Sequence, residues 1–124
     1  MSETVNVSES ILLSVKKMLG LDQEYDVFDP ELIIHINTVF GTLHQLGVGP
    51  EDQFRITGDS ETWSEFDTEG EQTDEVKTYI YLRVRLLFDP PSSSFVLSSF
   101  KEQLQELEWR LNVKADEIKG IEDE

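Results

Sequence analysis

Four stretches of this chain repeat apolar residues at intervals of three and four, the spacing that places them on one face of an α-helix. The first predicted helix begins after Ser8 or Ser10, either of which suits the N-cap, and ends at Gly20. Residues 1–7 before it are polar and are expected to be flexible. The apolar positions of this helix are Ile11, Leu12, Val15, Met18 and Leu19.

The second stretch carries the clearest helix signals. Asp29 is a suitable N-cap, Pro30 fits the first turn, and Gly47 stops the pattern before Gly49 and Pro50 prevent its return. We therefore predict a helix from about residue 29 to 46. Its apolar stripe consists of Leu32, Ile36, Val39, Leu43 and Leu46, widened by Ile33 and Phe40.

The third stretch is ambiguous, because apolar and polar residues alternate between positions 76 and 86, which is also a strand pattern. A strand needs partners, however, and only residues 54–57 are predicted as a second short strand. Thr73 can cap a helix, with two acids following it in the first turn. We therefore predict a helix that ends near Phe88, since Pro90 disfavours helical geometry just before it.

The fourth stretch begins after Ser92–Ser94, which offer N-caps. Asn112 is the candidate C-cap; alternatively the last dozen residues extend the helix, because Ala115 and Ile118 keep some amphipathic character. Four helices with short links around one core predict an all-α fold, a small four-helix bundle. An irregular acidic loop separates helices two and three, and Trp63 and Phe66 are expected to form one helical turn that staples this loop to the core. The fourth apolar stripe consists of Phe95, Val96, Leu97, Phe100, Leu104, Leu107 and Leu111.

The charge of the chain is strongly negative, with 26 acids, ten bases and a net charge of −16. Generic binding to nucleic-acid phosphates is therefore unfavourable. The segment 51–75, called the acidic loop below, holds ten of the acids against Arg55 alone. Such a run is typical of a solvated surface, and alternatively of a docking surface for a basic partner or a DNA mimic. We divide the chain into residues 1–7, one helical domain over 8–112, and an acidic tail over 113–124.

Catalytic and metal-binding patterns are missing from the sequence. The absence of cysteine excludes a disulfide framework and a thiolate metal site. His35 and His44 point to opposite sides of one predicted helix, and the acidic runs lack the spacing of a calcium loop. The sequence contains no apolar run of about 18 residues, so no membrane span is predicted. The N-terminus lacks the basic and apolar segments of a secretion signal. We expect no enzyme activity, no cofactor, no metal and a cytosolic site of synthesis.

Three blocks of the chain, taken in order, carry a family pattern. They are FDPELIIHINTVFGTLHQLGVGP at 28–50, VKTYIYLRVRLLFDPPSSSFV at 76–96 and ELEWRLNV at 106–113. Together they resemble the head–tail connector (adaptor, or head-completion) proteins of long-tailed bacteriophages. The resemblance implies an all-α bundle without catalysis. It also implies a homo-oligomeric ring, typically of twelve subunits, in the neck of the virion. That ring lies on the DNA exit of the portal, extends the channel, and receives the tail or the next connector (stopper) protein.

The resemblance also implies where the partners bind. In related proteins the C-terminal segment reaches toward the portal, so the candidate portal-docking residues are Val113, Ile118 and Ile121. A negative channel wall would repel DNA phosphates and let the duplex pass without sticking. The competing class is a soluble regulatory binder, such as an acidic DNA mimic that blocks a basic nucleic-acid-binding protein.

A closed ring needs two different patches on each subunit. The candidates are a basic-aromatic arc on the third helix, formed by Lys77, Tyr81 and Arg85, and the acidic loop of a neighbour. Opposite charges on these patches would steer assembly and fix its register.

Arg83 is a further interface candidate. Steps of about 100° per residue place it in the apolar arc of the third helix. A guanidinium there is expected to be paired, with Asp89, with Glu108, or with helix-end carbonyls of a neighbouring chain. Alternatively the side chain extends along the bundle and its guanidinium reaches water.

Overall fold

The chain folds into five helices in a computed structural model that describes residues 9–122, with side chains up to residue 120. Residues 1–8, including Ser8 and the segment predicted to be flexible, lie outside the described residues. Between residues 9 and 122 there is no strand, only one isolated bridge between Ser10 and Thr62. The all-α prediction is confirmed. The helices are α1 (Ile11–Met18), α2 (Asp29–Gln45), α3 (Trp63–Phe66), α4 (Thr73–Phe88) and α5 (Ser94–Glu122).

Helix α4 is the centre of the bundle and packs against α1, α2 and α5. The third stretch is therefore a helix, as predicted, and it ends at Phe88. The ring of Phe28, just before α2, lies 5.1 Å from that of Phe88, so α2 and α4 run in opposite directions. The corner Asp89–Pro91 then turns the chain back into α5. The core residues of α4 are Val76, Tyr79, Ile80, Leu82 and Val84.

The apolar stripes of α2 and α5 form most of the remaining core. Phe95 and Val96, predicted to lead the stripe of α5, are exposed instead, because α5 begins at the edge of the bundle. The stripe residues that the structure buries are Leu32, Ile36, Val39, Phe40 and Leu43 of α2 and Leu104, Leu107 and Leu111 of α5.

Helix α1 buries a lysine in its apolar face. Lys16 is fully buried; its Nζ donates a hydrogen bond to the carbonyl of Gln23 at 2.8 Å and lies 2.9 Å from Oδ1 of Asp29. Because a buried ammonium needs partners, Asp29 serves that pair and not the N-cap, so its predicted capping role is wrong. Phe28 occupies the N-cap of α2 without a side-chain bond. Met18, predicted on the apolar face, is exposed.

A side-chain amide takes the place of the strand that was predicted at residues 54–57. The amide of Ile56 donates to Oδ1 of Asn37 at 2.8 Å, and Nδ2 of Asn37 donates to the Ile56 carbonyl at 2.9 Å. Both groups are buried, and Asn37 satisfies them as a neighbouring strand would. The strand prediction is therefore wrong, and the acidic loop is fixed to α2 at this point.

Helix α5 continues to Glu122, so the alternative of an extended helix is confirmed and Asn112 is not its C-cap. Nδ2 of Asn112 donates to the carbonyl of Leu46 at 2.9 Å, so it caps the end of α2. Nε2 of Gln72, the N-cap of α4, donates to the Leu111 carbonyl at 3.3 Å. The middle of α5 is thus bonded to the ends of two other helices. The division of the chain at residue 113 stays a prediction.

Of three predicted helix caps, the structure confirms two and shows that the third is wrong. Ser10 caps α1 by accepting from the amide of Leu13 at 3.2 Å, and Ser93 accepts from the amide of Val96 at 3.3 Å. Thr73 is not a cap; it is the first residue of α4, and its hydroxyl donates to Oδ2 of Asp67 at 2.9 Å.

Replacing Asn37 with alanine should destabilise the protein strongly. The change leaves the buried amide and carbonyl of Ile56 without partners, at a cost of about 2–4 kcal/mol. Urea unfolding followed by circular dichroism measures it. Thr38→Ala is the matched control, because the exposed Thr38 hydroxyl bonds only within its own helix. Equal unfolding midpoints for the two variants would contradict this role for Asn37.

Candidate interaction surfaces

Aromatic side chains staple the acidic loop to the bundle. The rings of Phe54 and Phe66 lie 5.2 and 4.9 Å from that of Phe40 on α2, and 5.5 Å from each other. Trp63 is buried, and its Nε1 donates to Oγ of Ser14 on α1 at 2.8 Å. The predicted helical turn, α3, therefore exists and fixes the loop to both α1 and α2.

Three acids of the loop act as internal hydrogen-bond acceptors. The carboxylate of Glu61 accepts from the Thr57 amide and hydroxyl, at 2.9 and 2.8 Å, and from the Gly58 amide at 3.3 Å. Glu65 completes a capping box with Thr62 at the start of α3. Asp67 accepts from the backbone at the start of α4, at 2.8 Å. These carboxylates replace the regular hydrogen bonds that the loop lacks.

The pKa of Glu61 reflects this role. Desolvation by burial would raise the pKa, but the hydrogen bonds from Thr57 and Gly58 outweigh it and hold the pKa below the ordinary value of 4.5. The folded state therefore favours the charged carboxylate.

The remaining acids of the loop form its outer, negatively charged face. Exposed carboxylates on one surface create a field that repels anions and attracts cations. These residues are Glu51, Asp52, Asp59, Glu69, Glu71 and Asp74, all exposed, with Glu75 half-buried at their edge.

Lys77, at one end of the basic-aromatic arc, already contacts the acidic loop of its own chain. Its Nζ lies 5.6 Å from the centroid of the Trp63 ring in a cation–π arrangement. Lys77 and Tyr81 are both half-buried.

Arg85, at the other end of the arc, ties α4 to the following corner. Its Nε donates to the Asp89 carbonyl at 2.6 Å, and its Nη1 donates to the Tyr81 hydroxyl at 3.1 Å. The guanidinium carbon also lies 5.9 Å from the Phe100 ring of α5. The arc therefore has internal structural contacts, and its pairing with a neighbour's acidic loop stays a prediction.

Arg83 is half-buried over Tyr79, with its guanidinium carbon 5.6 Å from the ring centroid. The Tyr79 hydroxyl donates to Oε2 of Glu108 on α5 at 2.7 Å. Burial, and then this hydrogen bond, raise the pKa of Tyr79 above its usual range. Within the described residues Arg83 forms no ion pair with Asp89 or Glu108. Within its own chain Arg83 therefore meets an aromatic ring and not a carboxylate, and its pairing with carbonyls of a neighbouring chain stays a prediction.

The candidate portal-docking residues lie on the last turns of α5, beside the acidic loop. Ile118 lines a groove of about 280 Å³ whose walls include Gly49, Phe66 and Glu69. Val113 lines a second groove, of about 290 Å³, with Glu71. The side chain of Ile121 lies outside the described residues. The acidic loop and the end of α5 thus form one continuous region.

The histidines have separate local contacts. Nε2 of His35 lies 3.2 Å from a carboxylate oxygen of Glu31, and Nε2 of His44 lies 3.0 Å from the Glu51 carbonyl. In the part of the chain that the structure describes, no three histidine or acidic side chains are grouped so as to hold a metal ion. None of the described helices is long and apolar enough to cross a membrane.

Comparison with known families identifies the chain. A family model described as "Phage connector protein" matches residues 11–118. The chain belongs to the phage connector protein family. The match begins at the first residue of α1 and reaches the last turns of α5, so it includes all five helices. No curated protein and no solved structure matches the chain. Membership gives the chain a structural role in the head–tail connection of a phage virion.

The structural roles of Asn37 and Lys16 were not predicted from the sequence, although each is a polar residue within an apolar stripe. Asn37 lies one turn from both Ile33 and Phe40, the residues that widen the stripe of α2. Lys16 lies one turn from Leu12 on the apolar face of α1. A polar residue inside an apolar stripe must find a partner, and the search for one would have led to the acidic loop and to Asp29.

Replacing Glu61 with glutamine should lower the melting temperature by a few degrees near pH 7. Because folding lowers the pKa of Glu61, its stabilising effect is complete above the unfolded pKa and is lost as the pH falls through the folded value. The difference between wild type and variant should therefore shrink below about pH 4. Melting curves from pH 3 to 8 measure it. The exposed Glu69→Gln is the control, and an identical pH profile for both variants would overturn the assignment.

Proposed function

We propose that this connector forms a closed ring, of about twelve copies, on the DNA exit of the portal. The ring extends the DNA channel and joins the capsid to the tail or to the next connector protein. The family match over residues 11–118 carries this proposal. The match applies to a bundle and not to a single motif, since it spans α1 to α4 and α5 as far as residue 118.

The negative charge of the chain supports a role as a channel wall that DNA passes without binding. Its net charge is −16, and the outer face of the acidic loop is made of exposed carboxylates. Such a wall repels phosphates, so a duplex can slide past it without binding.

The end of α5 supports portal docking. Leu111 marks the level at which α4 begins, because its carbonyl accepts from Gln72. From there α5 continues for about 16 Å, or three turns, beyond the central helix. We assign Val113 and Ile118 on this extension to the portal contact, together with Ile121.

The arc on α4 supports the subunit contact less directly, because Lys77 and Arg85 already have partners within the chain. Reversing their charges would also disturb those internal contacts. Reversal of Asp52 and Asp59 is a cleaner test, because both are exposed acids of the loop and neither lines the grooves of Val113 and Ile118. The double change to lysine should weaken ring assembly on portals without changing the melting temperature.

The function is tested with a phage that lacks this gene. Its DNA-filled heads should lose DNA and fail to join tails, and the purified chain should restore both properties. Electron microscopy of restored heads should show one ring below the portal. A chain that does not bind heads, remains monomeric and binds a basic nucleic-acid-binding protein in a salt-sensitive way would overturn the proposal and support the acidic regulatory binder.

Deleting residues 116–124 should reduce binding to portal-containing heads at least tenfold. The deletion removes Ile118 and Ile121 but keeps the buried Ala115, so the melting temperature should change by no more than a few degrees. Co-sedimentation with heads measures the binding. Deletion of residues 1–7 is the control, since it removes a polar terminus of similar length. Normal head binding by the C-terminally shortened chain would contradict the portal contact.

A further inference from the structure

The large exposed apolar residues are concentrated in two short segments of the chain. Of the eight between residues 9 and 120, only Ile34 and Trp109 lie elsewhere. A soluble monomer rarely gathers such residues without a partner. The other six are Met18, Tyr25 and Val27, before α2, and Leu87, Phe95 and Val96, around the corner between α4 and α5.

The two segments meet at one end of the molecule. The Tyr25 ring lies 5.7 Å from that of Phe28, which lies 5.1 Å from that of Phe88. Arg85 lies against Phe100 at 5.9 Å, which holds the start of α5 beside the end of α4. We call this surface, formed by the six residues above, the apolar end. It lies at the opposite end of α5 from the extension assigned to the portal.

The apolar end is surrounded by negative charge. Four exposed carboxylates, those of Asp22, Glu24, Asp26 and Asp89, lie in the same two segments. Lys17 is an exposed base of the first segment, whereas Lys16 is buried and paired with Asp29. Asp89 also lies 4.0 Å from Nε of Arg85, so the net negative charge comes mainly from the other three carboxylates. A complementary surface would therefore combine apolar side chains with lysine or arginine.

We propose that the apolar end binds a segment of another virion protein that presents apolar side chains flanked by lysine or arginine. This inference rests on the proposed function, because it assigns that partner to the side of the ring that faces away from the portal. Charge argues against a two-fold contact between the apolar ends of two copies. Such a contact would bring the identical carboxylates of this surface together.

Two variants of the apolar end test the proposal by tail joining. Val27 is 61 % exposed and Phe95 is 82 % exposed, so Val27→Gln and Phe95→Gln should leave the melting temperature unchanged. Each should reduce the number of joined particles at least tenfold when added to gene-deficient heads and tails, while binding to heads stays normal. The matched control is Ile34→Gln, because Ile34 is 64 % exposed and lies beside residues 53–57 of the acidic loop.

A charge reversal identifies the occupant. Glu24→Lys should weaken joining if the partner is basic, whereas Glu102→Lys, an equal change on an exposed part of α5, should not. If a second copy occupies the apolar end, Glu24→Lys should instead strengthen self-association in sedimentation velocity, and our assignment is wrong. Full joining by both glutamine variants would also overturn it. Failure of the wild-type chain to restore joining would count against the proposed function itself.

Discussion

The fold depends on how a long connection without regular structure satisfies its buried backbone. The pair of hydrogen bonds between Asn37 and Ile56 does this at the deepest point of the acidic loop. An unpaired amide or carbonyl there would cost a large part of the stability of a small domain. With the two groups satisfied, the loop can lie on α2, and its aromatic side chains can complete the core.

The sequence predicted the helices but not the contacts that join them. Leu32, Ile36 and Leu43 follow the helical period, so burial of α2 could be deduced from spacing alone. The polar residues could not be placed in the same way. The partner of Lys16 is thirteen positions away, and Asn112 bonds across 66 positions, so neither contact has a local pattern.

The interaction surfaces were also only partly predictable, because the contacts of their side chains have no local sequence pattern. A count of charges identified the acidic loop but did not distinguish Glu61, which accepts hydrogen bonds inside it, from Glu69, which faces solvent. The exposure of Phe95 was not deducible either. Its apolar character suggested a core position, and only the place where α5 leaves the bundle decides that it faces outward.

Helix α5 has a mechanical consequence for an assembly in which it spans the bundle. Neither proline nor glycine occurs between Ser94 and Lys119, so this part of the helix contains none of the residues at which helices usually kink. Hydrogen bonds at Leu111 and Asn112 fix its middle to the ends of α4 and α2. The helix therefore acts as a stiff lever with a fixed pivot, and a tilt imposed at one end must displace the other in the opposite direction.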